Sequence, residues 1–171
     1  MRLQAIVRGL AGVAMMAALG AATVNAQAGA DKLLTQAELT KLFPATVYYY
    51  GQSAATQIRN SGGVKFADGH YVLAALVDTS GYSTGVAEKY QGYLIAEVPI
   101  KICGKALPAG AYGFGFLAGN KFLITDLGGS DVFTVDSMAD SALKRPRPLQ
   151  LTAEGKGYRL YAGVNFVEIE R

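Results

Sequence analysis

The chain has 171 residues, with 16 lysines and arginines, 13 aspartates and glutamates, one histidine, one cysteine and no tryptophan. Without Arg2 and Arg8, the remainder holds 14 basic and 13 acidic residues and is almost neutral. It therefore lacks the large positive net charge that is typical of proteins that bind nucleic acids. One histidine and one cysteine cannot supply a usual zinc site, and a single cysteine cannot form an intramolecular disulfide.

Residues 1–28 have the three parts of a secretory signal peptide. The two early arginines give a positive start, and an apolar stretch of 16 residues, 9–24, follows them. This stretch is shorter than the roughly 20 residues that a membrane-spanning helix needs. Small residues then occupy the positions that signal peptidase reads, which predicts cleavage after Ala26 or Ala28. We therefore expect an exported protein, periplasmic or secreted, with no transmembrane helix in the mature chain.

Residues 29–171 are predicted to form a single β-rich domain. Near its start, Thr35 and Glu38 have the spacing of a capping box, and Pro44 ends the short helix that follows. After this helix, β-prone runs alternate with glycine-rich turns. The pattern predicts about eight to ten short strands in an all-β antiparallel sandwich or small barrel. Residues 71–77 are continuously apolar, which predicts a strand covered on both faces.

Glycine-containing turns separate the predicted strands. The run Asn-Ser-Gly-Gly at residues 60–63 predicts a break between two strands. The Asp-Gly pair at residues 68–69 is a strong hairpin signal, and a two-residue turn there would place Phe66 opposite Tyr71. A second hairpin is predicted around residues 118–120.

One short motif suggests catalysis. Residues 81–85 read Gly-Tyr-Ser-Thr-Gly, which matches the letters of the nucleophile elbow of α/β-hydrolases. That elbow needs a strand before it and a helix after it in an α/β sheet, whereas this chain is predicted to be all-β, with its histidine ahead of the serine. Because catalytic triads occur in several chain orders, a serine hydrolase using Ser83, His70 and Asp78 stays an alternative to a simple turn.

Three other groups of polar residues have both structural and functional interpretations. Four aspartates lie close together in the sequence: Asp126, Asp131, Asp136 and Asp140. They could bind calcium, but they lack the EF-hand spacing, so turn and capping roles are the simpler interpretation. A basic cluster consists of Lys144, Arg145 and Arg147, and we expect it to be a solvated loop rather than an anion site. Cys103 is expected to be buried rather than reactive or bridged to another chain. We expect no metal and no cofactor.

Residues 112–116 form the most unusual predicted strand. In extended geometry, Tyr112, Phe114 and Phe116 face one side, while Gly113 and Gly115 face the other. Glycine weakens a strand unless another group approaches its backbone closely. Either an aromatic side chain covers the glycines, or the strand is the wall of a ligand cavity. Four tyrosines could contribute to such a cavity: Tyr48, Tyr50, Tyr90 and Tyr93.

A segment of about 15 residues has a distinctive pattern. It begins with Val98-Pro99-Ile100 and continues at residues 104–112 with the letters GKALPAGAY. This segment resembles one found in small exported bacterial β-rich proteins of uncharacterised function. The resemblance implies export and a β-rich fold, and it implies no catalytic residue.

These patterns predict an exported, non-enzymatic β-domain that binds a small ligand or a partner surface. A serine hydrolase is one alternative. A small outer-membrane β-barrel is the other, although the unbroken apolar run at residues 71–77 departs from the alternation that such strands need.

Overall fold

The computed structural model describes residues 30–171, so the predicted signal peptide lies outside the described residues. In this range the chain forms fourteen strands and two short helices. The strands are β1 Lys32–Leu33, β2 Thr46–Tyr49, β3 Gln52–Lys65, β4 Tyr71–Val77, β5 Gly92–Ala96, β6 Ile100–Ile102, β7 Lys105–Leu107, β8 Gly110–Leu117, β9 Lys121–Thr125, β10 Asp131–Asp136, β11 Met138–Ala139, β12 Arg147–Glu154, β13 Gly157–Gly163 and β14 Asn165–Glu170. The helices are α1 Gln36–Leu42 and α2 Thr84–Lys89. Neither of these helices is long and apolar enough to span a membrane.

The strands form two antiparallel sheets that pack face to face. The larger sheet has the order β1-β3-β4-β5-β8-β9-β10, with β2 added to β3. The smaller sheet has the order β12-β13-β14-β6-β7, with β11 added to β14. The chain leaves the larger sheet after β5 and returns to it with β8, and the predicted hairpin around residues 118–120 joins β8 to β9. The all-β prediction is confirmed, and the architecture is a sandwich.

The main core fills the space between the two sheets. Both sheets contribute large apolar side chains that are completely buried, among them Leu94, Phe114, Phe122, Leu160 and Val167. Burial of each such side chain contributes about 1.5–3 kcal/mol to stability. This core is the main source of stability, because the one cysteine forms no disulfide.

A second core covers the outer face of the larger sheet. It is formed by α1, α2 and the β2–β3 hairpin, which fold over β4 and its neighbours. As a result, Val72 and Ala74 of β4 face the main core, while Leu73, Ala75 and Val77 face this outer core. The prediction that residues 71–77 are covered on both faces is confirmed.

Helix α1 has the predicted capping box. The Glu38 N–H donates to the Thr35 hydroxyl, and the Glu38 carboxylate accepts the Thr35 N–H at 2.9 Å. Leu39 is buried in the outer core, and Pro44 follows the end of the helix. The sequence does not predict helix α2, because its six residues contain a glycine. None of these residues is buried in the structure.

The turn at residues 68–69 has a different register from the predicted one. The Phe66 N–H donates to the His70 carbonyl at 2.8 Å, so the loop contains three residues and ends at Gly69, whose φ is +95°. Three-residue loops ending in a left-handed residue are the next most common hairpin after two-residue turns. The prediction that Phe66 lies opposite Tyr71 is therefore wrong, because the two side chains lie on opposite faces of the sheet.

The predicted break at residues 60–63 is also wrong, because β3 runs through it. Both glycines allow close approach rather than a turn. A Cβ at Gly62 would lie 2.6 Å from the backbone nitrogen of Leu151 on β12, and a Cβ at Gly63 would lie 2.8 Å from the Leu73 side chain. The absence of a side chain at Gly62 lets β3 approach β12 of the smaller sheet. The absence of a side chain at Gly63 lets residues of the outer core pack against β3.

Candidate functional site

The three candidate catalytic residues lie apart. His70 precedes and Asp78 follows the seven-residue strand β4. At about 3.3 Å per residue, their Cα atoms are separated by roughly 25 Å. His70 Nδ1 lies 3.2 Å from Asp68, and Asp78 accepts the Ser80 N–H at 3.0 Å. Ser83 is the N-cap residue of α2, but its side chain makes no capping hydrogen bond. The structure therefore contains no triad of Ser83, His70 and Asp78.

The four clustered aspartates have separate structural roles. Asp126 and Asp140 accept hydrogen bonds from nearby backbone N–H groups at 2.8 and 3.0 Å. Asp131 and Asp136 each pair with a lysine of a neighbouring element. Within residues 30–171, no group of three or more histidine, cysteine or carboxylate side chains is placed to hold a metal ion.

Cys103 lies in the two-residue turn between β6 and β7, with a φ of +46°. It is half-buried, and burial raises the pKa of its thiol. A raised pKa keeps the thiol protonated near neutral pH and lowers its nucleophilic reactivity.

The basic cluster is exposed: Lys144 and Arg145 lie in the loop before β12, and Arg147 begins that strand.

Gly113 and Gly115 on β8 are covered by other parts of this chain. A Cβ at Gly113 would lie 2.6 Å from the Tyr49 ring and 2.6 Å from the Thr125 hydroxyl. A Cβ at Gly115 would lie 2.4 Å from the carbonyl oxygen of Lys89, at the end of α2. These contacts leave no room for a ligand against either glycine. Strand β8 therefore packs against other parts of the chain, and Tyr49 of the β2–β3 hairpin is an aromatic side chain that covers Gly113.

The three aromatic residues of this strand also have packing roles. Phe114 is completely buried in the main core and lies 5.7 Å from the Phe122 ring. Tyr112 and Phe116 are partly buried against the same core, and the Tyr112 hydroxyl donates to the Pro108 carbonyl at 3.0 Å. Residues 112–116 thus position the tyrosines that lie over them.

The buried Tyr49 and Tyr90 and the partly buried Tyr82 form a cluster beside Gly113. The rings of Tyr49 and Tyr90 stack with centroids 3.7 Å apart, and Tyr82 packs edge-on against both. The Tyr49 hydroxyl shares a hydrogen bond of 2.9 Å with the Thr125 hydroxyl, and the Tyr82 hydroxyl donates to the Tyr49 carbonyl at 3.1 Å. The Tyr90 hydroxyl is buried and has no hydrogen-bond partner among residues 30–171, and this burial raises its pKa.

Two further tyrosines on the same hairpin face solvent, and we call Tyr48 and Tyr50 the tyrosine platform. Their exposed fractions are 70% and 54%, the largest of any aromatic side chain in residues 30–171. Tyr50 and Gly51 have φ values of +50° and +75°, as in a type I′ turn. The Tyr50 N–H donates to the Leu127 carbonyl at 2.8 Å, and its ring packs against the backbone of Gly129. Tyr50 is therefore held in place while about half of its surface stays exposed.

Tyr50 occupies a position that rarely holds an aromatic residue. The first central residue of a type I′ turn is usually asparagine, aspartate or glycine. A left-handed conformation costs other residues about 1 kcal/mol. The sequence signal for this turn is the Tyr-Gly pair at residues 50–51, in place of Asn-Gly. The sequence predicts Tyr48 and Tyr50 as cavity residues. It does not single out the buried Tyr49, whose ring centroid lies 6.5 Å from that of Tyr50, or the partly buried Tyr82 that packs against Tyr49.

Comparisons of the chain with protein-family models, with curated proteins and with solved structures find no match. The choice among surfaces therefore depends on geometry. Within the tyrosine platform, Tyr50 combines an exposed ring with a backbone fixed by its hydrogen bond to Leu127 and with packing against Gly129.

Proposed function

We propose that the chain is an exported, non-enzymatic binding domain that recognises a neutral saccharide chain through the tyrosine platform. The observation that carries the proposal is Tyr50, an aromatic residue with a half-exposed ring at a left-handed turn position. Asparagine or glycine would form this turn with less strain. A bound ligand gives a physical reason to keep the aromatic ring.

The chemistry of the platform supports a saccharide as its ligand. A tyrosine presents a flat apolar face and a polar hydroxyl, which matches the apolar C–H face and polar rim of a pyranose ring. Residues 46–51 contain no charged side chain, which suits a neutral ligand. The exposed Gln52 and Ser53 side chains lie on the paired strand, with Ser53 directly opposite Tyr48, where they can hydrogen-bond to sugar hydroxyls.

The rest of the structure supports binding without catalysis. The wide separation of His70 and Asp78 leaves Ser83 without the base and acid that would activate it. The four aspartates between residues 126 and 140 accept hydrogen bonds in turns or pair with lysines. The export step in this proposal rests on the signal peptide predicted at residues 1–28.

Affinity electrophoresis in gels that contain a soluble polysaccharide tests the proposal. We expect one of the neutral polymers β-glucan, xylan or galactomannan to retard the protein, and the Tyr48→Ala, Tyr50→Asn double variant to migrate as in a gel without polymer. The matched control is Tyr71→Phe, because Tyr71 lies on β4, outside the β2–β3 hairpin, and packs partly against the outer core. Equal retardation of the double variant and the wild type would overturn the proposal, as would no retardation by any of the three polymers.

A further inference from the structure

A groove of about 290 Å³ lies beside α1, where the first described residues pack on β3 and β4. Three lysines line it: Lys32, Lys41 and Lys65. Its apolar lining comes from Leu34, Leu42 and Tyr71, and Glu38 is its one acidic residue. None of these residues belongs to the tyrosine platform, so the groove is a separate surface.

The positive charge of the groove is only partly compensated. The Glu38 carboxylate pairs with Lys32 at 2.6 Å and also accepts hydrogen bonds from the Thr35 N–H and hydroxyl. The Glu38 and Lys32 charges therefore neutralise each other. Lys41 and Lys65 form no ion pair with a carboxylate in the part of the chain that the structure describes. Two positive charges remain at the groove.

Apolar surface lies directly beside these two charges. Leu42 has an exposed fraction of 39%, although leucine is normally buried. The Lys65 ammonium lies over the Tyr71 ring, 5.7 Å from its centroid. An ammonium group beside an exposed leucine and a ring face complements a molecule that has a negative head and an apolar body.

The size and the surroundings of the groove restrict the ligand further. A volume of about 290 Å³ is just below the range of ligand pockets, roughly 300–1,000 Å³, so it suits a short chain or a single ring. Free N–H groups at a helix N-terminus often bind phosphate groups. Here Thr35 and Glu38 already occupy the N-terminus of α1, and the groove contains no arginine. The two remaining lysine charges are sufficient to hold a singly charged carboxylate.

We propose that this groove binds a small amphiphilic carboxylate as a monomer from solution, with Lys41 and Lys65 holding the carboxylate and Leu42 and Tyr71 contacting the apolar body. This inference does not depend on the saccharide proposal, because it involves different residues and a different ligand chemistry.

Isothermal titration with octanoate, below its micelle concentration and at low salt, tests this inference. We expect octanoate to bind at least tenfold more tightly than 1-octanol, which lacks the charge, and than acetate, which lacks the chain. Higher salt should weaken octanoate binding, because the lysines are exposed. Equal affinity for octanoate and octanol would overturn the proposal, as would binding to anionic vesicles with no binding of octanoate.

Variants connect the binding to the groove. Lys41→Gln and Lys65→Gln should each weaken octanoate binding about fivefold or more, and Leu42→Ala should weaken it without changing its salt dependence. The matched control is Lys101→Gln, because Lys101 is an exposed lysine on β6 outside the groove. Urea unfolding of each variant checks that the fold is retained. If the Lys41 and Lys65 variants bind octanoate as the control does, the ligand lies elsewhere and the proposal fails.

Discussion

Gly115 is predicted not to tolerate alanine, although alanine normally suits a strand better than glycine. The added Cβ would lie 2.4 Å from the carbonyl oxygen of Lys89 and 3.0 Å from its carbonyl carbon. Both atoms belong to the backbone at the end of α2, so no side-chain rotation relieves the clash. Either α2 or β8 must shift, and overpacking of this kind costs about 1–3 kcal/mol.

Gly85 provides a matched control inside α2. A Cβ at this position meets no atom within 4 Å, and Gly85 does not have a positive φ. Gly85→Ala therefore mainly reduces the backbone entropy of the unfolded chain, which stabilises a helix by about 0.5–1 kcal/mol. The two alanine variants should thus change the free energy of unfolding in opposite directions, with a difference of about 1.5–4 kcal/mol.

Urea unfolding followed by far-UV circular dichroism measures this difference. With a denaturant slope of about 2 kcal/mol/M, Gly115→Ala should lower the midpoint by about 0.5–1.5 M. Gly85→Ala should raise the midpoint by about 0.3–0.5 M with the same slope. If Gly115→Ala unfolds at or above the wild-type midpoint, the glycine is not there to let α2 approach, and our explanation of residues 112–116 is refuted.

Three further substitutions test the tyrosine cluster and the α1 cap. Tyr90→Phe removes a buried hydroxyl that has no hydrogen-bond partner among the described residues, so it should raise the free energy of unfolding by about 1 kcal/mol. Tyr49→Phe breaks a buried hydrogen bond and should lower the free energy of unfolding by about 1–2 kcal/mol. The opposite order of the two variants in thermal unfolding would contradict the hydrogen-bond assignment. Thr35→Ala removes the side-chain cap of α1 and should lower the free energy of unfolding by about 1 kcal/mol. Backbone amide hydrogens of α1 should also exchange faster with solvent. Unchanged amide exchange in α1 would argue against a stabilising cap. Hydrogen bonds from Lys32 and from the Thr35 backbone lower the pKa of Glu38 to about 2. Because this pKa is below its value of about 4.3 in the unfolded chain, the stabilisation by Glu38 is present above pH 4.3 and is lost as the pH falls towards 2. Glu38→Gln should therefore flatten this part of the pH dependence of the free energy of unfolding. An unchanged pH profile would show that another group is responsible.

Local patterns in the sequence predict several elements correctly. The capping box at Thr35 and Glu38 predicts α1 because both partners lie within one helical turn. The apolar run at residues 71–77 predicts a doubly covered strand, since a solvent-facing strand would alternate polar and apolar residues. In both cases the physical cause lies within a few residues, so the sequence is sufficient.

Other features depend on contacts between distant residues and could not be predicted. The glycines at positions 62 and 63 suggested a turn, but they serve close contacts with β12 and α1. Likewise, the Tyr49–Tyr90 stack joins two segments about 40 residues apart in the chain, and no pattern near Gly113 reveals that these rings cover it. The sequence therefore showed that residues 112–116 are unusual but not whether a ligand or the chain itself lies against them.

We infer that Tyr50 is kept for binding at a cost in turn stability. To test this, wild type, Tyr50→Phe and Tyr50→Asn are titrated calorimetrically with an oligosaccharide of the polymer that retards the protein. Urea unfolding of the same samples measures their stability. We predict that Tyr50→Phe binds within about threefold of wild type, and that Tyr50→Asn binds at least tenfold more weakly while unfolding at an equal or higher urea concentration. Wild-type affinity in Tyr50→Asn would contradict the claim.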